Sequence, residues 1–306
     1  MNDVIETHAV TKRFGGRIAV DSVDLVVPAG VAFGFLGPNG AGKTTLIRTL
    51  LGLTEPTSGD VSLLGLPQPE RRRDALARVG AIVEEPRFHP HLTGRENLAI
   101  IAAARNRDAA VRIPAALERV GLSHRMDERV KTYSLGMRQR LGIARCLLAD
   151  PALLILDEPM NGLDPAGIIE LRKLIRSFVA EGRTVFLSSH LLDEVEKTCD
   201  HVAIVDRGRV LAQGPVAEIA GGGPPTLTVQ VDDAATARRL LSAEPRVGRV
   251  SDDGTTLTVA LVDGLEPADV NRALVGAGIA VSRLEPSRTS LEERFLDITS
   301  RLETNT

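Results

Sequence analysis

Residues 37–45 read GPNGAGKTT, and no other stretch restricts the folds open to this 306-residue chain so strongly. Gly37, four intervening residues, then Gly42, Lys43 and Thr44 fulfil the P-loop spacing. The apolar run 31–36 precedes it and a helical pattern, Leu46 through Leu51, follows, so the segment reads as strand, loop and helix. Such a loop is built for phosphate: successive backbone N–H groups and a helix N-terminus supply donors and positive potential, and the glycines let the backbone curl without Cβ clashes. The nine residues Gly37, Pro38, Asn39, Gly40, Ala41, Gly42, Lys43, Thr44 and Thr45 are therefore expected to wrap a triphosphate. Lys43 is expected to reach the β- and γ-phosphates, and Thr44 to ligate Mg²⁺ through its hydroxyl.

Two further strand ends carry polar groups. Residues 153–158 read LLILDE, an apolar strand that ends in two acids, which is costly unless a cation or hydrogen bonds receive them. Asp157 is placed to hold Mg²⁺, and Glu158 to polarise the attacking water as general base. LSSH at 187–190 ends a second apolar strand in His190. Ligands of parallel α/β sheets sit at the C-terminal edge of the strands, so His190 is expected near the γ-phosphate or the attacking water.

Apolar runs and helical patterns alternate through residue 220, with buried strands expected at 31–36, 79–83, 153–156 and 184–188. The clearest helix is 166–181, with Ile168, Leu171, Ile175 and Phe178 at helical spacing, Asp164 as its cap and Gly182 at its end. Thr93-Gly94-Arg95-Glu96 fits a capping box. The alternation predicts a largely parallel sheet with helices on both faces, an α/β fold. The run Gly221-Gly222-Gly223-Pro224-Pro225 reads as a linker. It divides the chain into a first domain over 1–220 and an accessory α+β domain over 226–306. Within the latter, strands at 226–231, 247–250, 256–261 and 279–284 and helices at 234–242, 267–277 and 290–302 give the order βαββαβ of a ferredoxin-like split unit.

Lys and Arg total 37 against 40 Asp and Glu, so no general charge pulls the chain toward nucleic acid. Arg71, Arg72 and Arg73 read as a solvated helix start. Cys146 and Cys199, outside any CxxC spacing, read as reduced buried thiols. The N-terminus shows no signal peptide pattern. No apolar run approaches the ~20 residues that span a bilayer, so work at a membrane requires another chain to supply the span.

The ordered set of P-loop, YSLGMRQR at 133–140, LLILDEP at 153–159, NGLD at 161–164 and SSH at 188–190 resembles the ATP-binding cassette domain of ABC transporters over roughly residues 2–220. IVEEP at 82–86 and the tail SLEERFLDIT at 290–299 are most similar to ATPase subunits of drug and peptide exporters of the bacitracin- or lantibiotic-resistance type. The resemblance implies a parallel sheet core with an antiparallel β subdomain and a helical subdomain, and ATP and Mg²⁺ as cofactors. It implies that Phe14 stacks on adenine and that Glu84, where most of the family has glutamine, senses Mg²⁺ and contacts the membrane partner. It further implies that Ser134 and Gly136 bind the γ-phosphate held by the opposite protomer, and that Asp164 crosses the dimer interface. The signature reads YSLGM where LSGGQ is commonest, keeping the Ser and the second Gly. The implied assembly is a homodimer or heterodimer of cassettes on a separate multi-span permease, at the cytoplasmic face of the cell membrane. The alternative function is a soluble ABC ATPase acting on nucleic acid or ribosomes. For residues 226–302 a role in dimerisation or regulation is expected.

Overall fold

The computed structural model of the chain describes residues 3–105, 107–221, 225–252, 254, 256–262, 264–287 and 290–303. The chain forms two compact units, Met1–Pro215 and Val216–Thr306.

The first unit opens with a long hairpin, β1 (Asp3–Phe14) and β2 (Arg17–Pro28). Next come β3 (Ala32–Leu36), α1 (Lys43–Leu50), β4 (Ser58–Leu63), β5 (Leu66–Gln68), α2 (Arg72–Ala77) and β6 (Val79–Ile82). Four helices follow: α3 (Gly94–Arg105), α4 (Arg107–Val111), α5 (Ile113–Arg119) and α6 (Leu135–Leu147). The unit closes with β7 (Leu153–Leu156), α7 (Pro165–Ala180), β8 (Thr184–Ser189), α8 (Leu192–Thr198), β9 (His201–Asp206) and β10 (Arg209–Pro215).

Among the described residues of this unit, ten strands make two sheets. One is antiparallel, in the order β2-β1-β4-β5. The other runs β10-β9-β3-β8-β7-β6, parallel throughout except for β10 at its edge. Strands β3, β7 and β8 are buried along their whole length, which is why they read as continuous apolar runs rather than alternating ones. Phe186 stacks on Phe33 and leans on Phe35, tying β8 to β3. The capping box is complete: Thr93 N–H donates to Glu96 Oε2 and Glu96 N–H to Thr93 Oγ1. Helix α7 buries Leu171, Leu174, Ile175 and Phe178, each worth roughly 1.5–3 kcal/mol on burial. Helices α3, α5 and α6 pack on one another as a helical group. Both thiols are buried, and burial raises that of Cys146 to about 11.

The second unit contains α9 (Val216–Gly221), β11 (Thr226–Val231), α10 (Ala234–Ser242), β12 (Val247–Asp252), β13 (Thr256–Leu261), α11 (Pro267–Gly276), β14 (Val281–Ser287) and α12 (Leu291–Glu303). Its sheet is antiparallel in the order β12-β13-β11-β14. Counted within the βαββαβ run this is 2-3-1-4, the arrangement of a split βαβ unit. The strand expected at 279–284 starts two residues later. Gly278 turns left-handed at φ +81, Ile279 N–H closes back on the carbonyl of Leu274, and Ala280 N–H donates to Asp232 just past β11, so 279–280 form the turn between α11 and the strand. Helix α9 packs against α12, so the compact units divide after Pro215 rather than at 220. Of the expected linker 221–225, residues 222–224 lie outside the described residues. Among the described residues no helix is long and apolar enough to cross a membrane.

Candidate functional site

The parallel sheet delivers three chain segments to one edge. Strand β3 runs into the glycine loop, β7 into Asp157 and Glu158, and β8 into His190. Register fixes their level: Leu36 pairs with Ser189 and Leu156 with Leu187. Gly37 N–H donates to the carbonyl of Ser189, fastening the start of the loop to the end of β8.

The glycine loop leaves little freedom. Gly42 has φ +100, and a Cβ there would stand 2.2 Å from the carbonyl oxygen of Ala19. A side chain is excluded by both conformation and space. Lys43 lies just inside α1 and is buried. Its Nζ donates to the carbonyls of Gly37 at 2.6 Å and Pro38 at 3.1 Å, and stands 3.1 Å from Glu158 Oε1.

Asp157 is only 3% exposed. Ser188 Oγ donates to its Oδ1 at 2.6 Å. The same hydroxyl accepts the backbone N–H of Glu158 at 2.9 Å. Glu158 sits in the left-handed region at φ +46, a conformation that costs a non-glycine residue roughly 1–2 kcal/mol. Its second oxygen, Oε2, lies 3.0 Å from His190 Nδ1. An ionised carboxylate only accepts, so that Nδ1 carries the hydrogen. Lys43, Glu158 and His190 therefore form one chain of contacts, with Asp157 buried behind it.

A cleft of about 460 Å³ opens onto this chain, lined by Phe14, Arg17, Ala19, Asn39, Gly40, Gly42, Lys43, Thr44, Thr45 and Glu158. Phe14 ends β1 and is 54% exposed, with Lys12 Nζ 5.1 Å from its ring centre. Arg17 and Ala19 come from β2 and belong to no motif; only the hairpin's approach to the loop reveals them. Ser188 was equally hidden, since a serine at the end of an apolar strand carries no distinguishing signal.

Ser134, Gly136 and Asp164 line a different pocket of about 380 Å³. Ser134 caps α6 by accepting Met137 N–H, and Asp164 caps α7 by accepting Gly167 N–H. Glu84, two residues past β6, is placed in neither lining. It has φ +60, and its carboxylate pairs with Arg48 of α1 at 2.6 Å. Among the described residues no cluster of three or more His, Cys, Asp or Glu could hold a metal alone.

This geometry has close counterparts. A family profile described as ABC transporter matches residues 20–161. The chain is 41% identical to the bacitracin transport ATP-binding protein of Bacillus licheniformis, over 97% of this chain and 98% of that protein.

The chain belongs to the family of ABC transporter ATP-binding subunits.

It is 37% identical to the Nod factor export ATP-binding protein I of Cupriavidus metallidurans, over 98% and 99% of the two chains. A solved ATP-binding subunit of an ABC transporter superposes with a TM-score of 0.63 at 31% identity, covering 71% of this chain and 91% of that one. The cbiO1 protein of Clostridium perfringens superposes with a TM-score of 0.66 at 26% identity, covering 80% and 97%. As an ABC ATP-binding subunit the chain binds ATP and hydrolyses it, and the soluble alternative is set aside. The subunit's near full-length match to these relatives takes in its C-terminal unit as well as the cassette.

Proposed function

We propose that this subunit powers an exporter: two cassettes, identical or similar, sandwich two ATP molecules and drive a separate multi-span permease from the cytoplasmic face of the membrane. The observation that carries this reading is the contact chain Lys43–Glu158–His190 on the P-loop cleft, with Ser134, Gly136 and Asp164 lining a pocket of their own. One copy thus offers two half-sites, each suited to complete the other's on a second copy. The relatives named for bacitracin transport and Nod factor export support drugs, peptides or antibiotics as cargo. Nucleic acid is not a proposed partner. The assignment of separate roles to a cassette and an accessory C-terminal unit, divided after Pro215 rather than at the expected 220, is part of the proposal.

Residues 37–45 hold the phosphates, with Lys43 on the β- and γ-groups, and Phe14 offers its exposed face to the base. Thr44 and Asp157 present hard oxygen donors of the kind Mg²⁺ takes, alongside phosphate. Mg²⁺ would neutralise charge on the phosphates as the bond breaks. Glu84 would join that donor set from a carboxylate whose Oε1 is paired with Arg48 in this structure. Glu158 accepts the proton of the attacking water, and His190 holds its other oxygen in place. Ser134 and Gly136 receive the γ-phosphate of the opposite copy at the N-terminus of α6.

The test is size-exclusion chromatography of Glu158→Gln with and without MgATP, beside phosphate release by wild type. The variant is expected to shift to a dimer with MgATP and to lose about 10²–10⁴-fold in turnover. Wild-type turnover in the variant would overturn the site. Export is tested by raised bacitracin resistance when the subunit and its permease are expressed together in a susceptible host.

A further inference from the structure

We propose that Ser188 is a positioning residue for ATP hydrolysis, setting both acids of the site through a single hydroxyl. The proposal rests on the roles given above to Asp157 and Glu158.

Ser188 is the first residue of β8 beyond the Leu156–Leu187 pair, which puts it level with Asp157, the residue that follows β7. It is fully buried. Its hydroxyl has two partners whose chemistry leaves one arrangement. The backbone N–H of Glu158 can only donate, and ionised Asp157 can only accept. The proton of Ser188 therefore points at Asp157 Oδ1, 2.6 Å away, and its lone pair takes Glu158 N–H at 2.9 Å. The first contact fixes the rotamer of a buried carboxylate. The second holds the Glu158 peptide where φ is +46, a conformation the chain leaves readily without such a tie. From that backbone position Glu158 spans Lys43 and His190. Removing the hydroxyl takes the acceptor from the part-buried Glu158 N–H and frees the peptide, so the general base drifts while the phosphate loop stays intact.

Ser188→Ala and Ser188→Thr are to be assayed with wild type and Glu158→Gln for ATP turnover, ATP affinity, Mg²⁺ half-saturation and thermal unfolding. Ser188→Ala is expected to lose about 10²-fold in kcat, the cost of a misplaced catalytic group, with ATP affinity within about twofold of wild type and Mg²⁺ half-saturation raised. Ser188→Thr keeps the hydroxyl and is expected to recover most of kcat. Ser188→Ala with wild-type kcat, or Ser188→Thr as slow as Ser188→Ala while still folded, overturns the proposal. So does a loss that appears only as weaker ATP binding or a lower Tm. Failure of the underlying reading is distinguished by Glu158→Gln, which would then retain wild-type turnover.

Discussion

Lys43 serves two masters within one side chain. Its ammonium satisfies two loop carbonyls, and so braces the glycine turn, while it also faces Glu158 Oε1. Lys43→Ala is therefore expected to weaken ATP binding by 10²-fold or more, on the order of 3 kcal/mol. Titration with a fluorescent ATP analogue checks this; unchanged affinity would remove Lys43 from the phosphate site. At this scale the sequence was informative wherever a polar group interrupts an apolar run. Asp157, Glu158 and His190 stand just past strand ends on one sheet edge and Lys43 opens the helix after the glycine loop, and the structure brings Lys43, Glu158 and His190 into contact. Arg48–Glu84 and Ser188–Asp157 were illegible, because partners 36 and 31 residues apart meet only in the folded chain, the first by the approach of α1 to the loop after β6 and the second by sheet register.

Elements show a different division. Fully buried parallel strands and well-capped helices were read nearly to the residue: β7 at 153–156, α7 one residue from its expected 166–181, and the Thr93–Glu96 box in full. The hairpin β1–β2 was not resolved from periodicity, because bulges at several points of its register break the alternation of buried and exposed residues. Packing between elements was also hidden. Gly34 of β3 lies under α8, where a Cβ would stand 2.4 Å from Val195 Cγ1. Gly34→Ala is expected to cost about 1–3 kcal/mol by forcing strand and helix apart. Urea unfolding of the full chain checks it, and an unchanged midpoint would mean that α8 moves aside freely.

On the scale of the whole molecule, two units with separate cores share one chain: one built on β3, β7 and β8, the other on Leu227, Val229, Leu257 and Leu274. The βαββαβ order of the second was legible because each short element is bounded by a Gly, Pro or Asp turn. Its task was not, since no motif marks it. Truncation after Pro215 is expected to leave a folded cassette but to change ATP turnover or ATP-induced dimer formation by about threefold or more, roughly 0.7 kcal/mol. Unchanged values for both would remove the dimerisation or regulatory role.

The separation of the phosphate cleft from the Ser134 pocket has a kinetic corollary. If neither cavity suffices by itself, specific activity is not a constant of the protein. In dilute solution, away from any permease, the rate per molecule should climb in proportion to enzyme concentration, so that total rate follows its square, before levelling off. An activity strictly linear in enzyme down to nanomolar concentration would mean that each copy works alone. A permease that holds two copies side by side would abolish the dilution effect, which makes tethering itself, rather than any change in chemistry, sufficient to switch the subunit on.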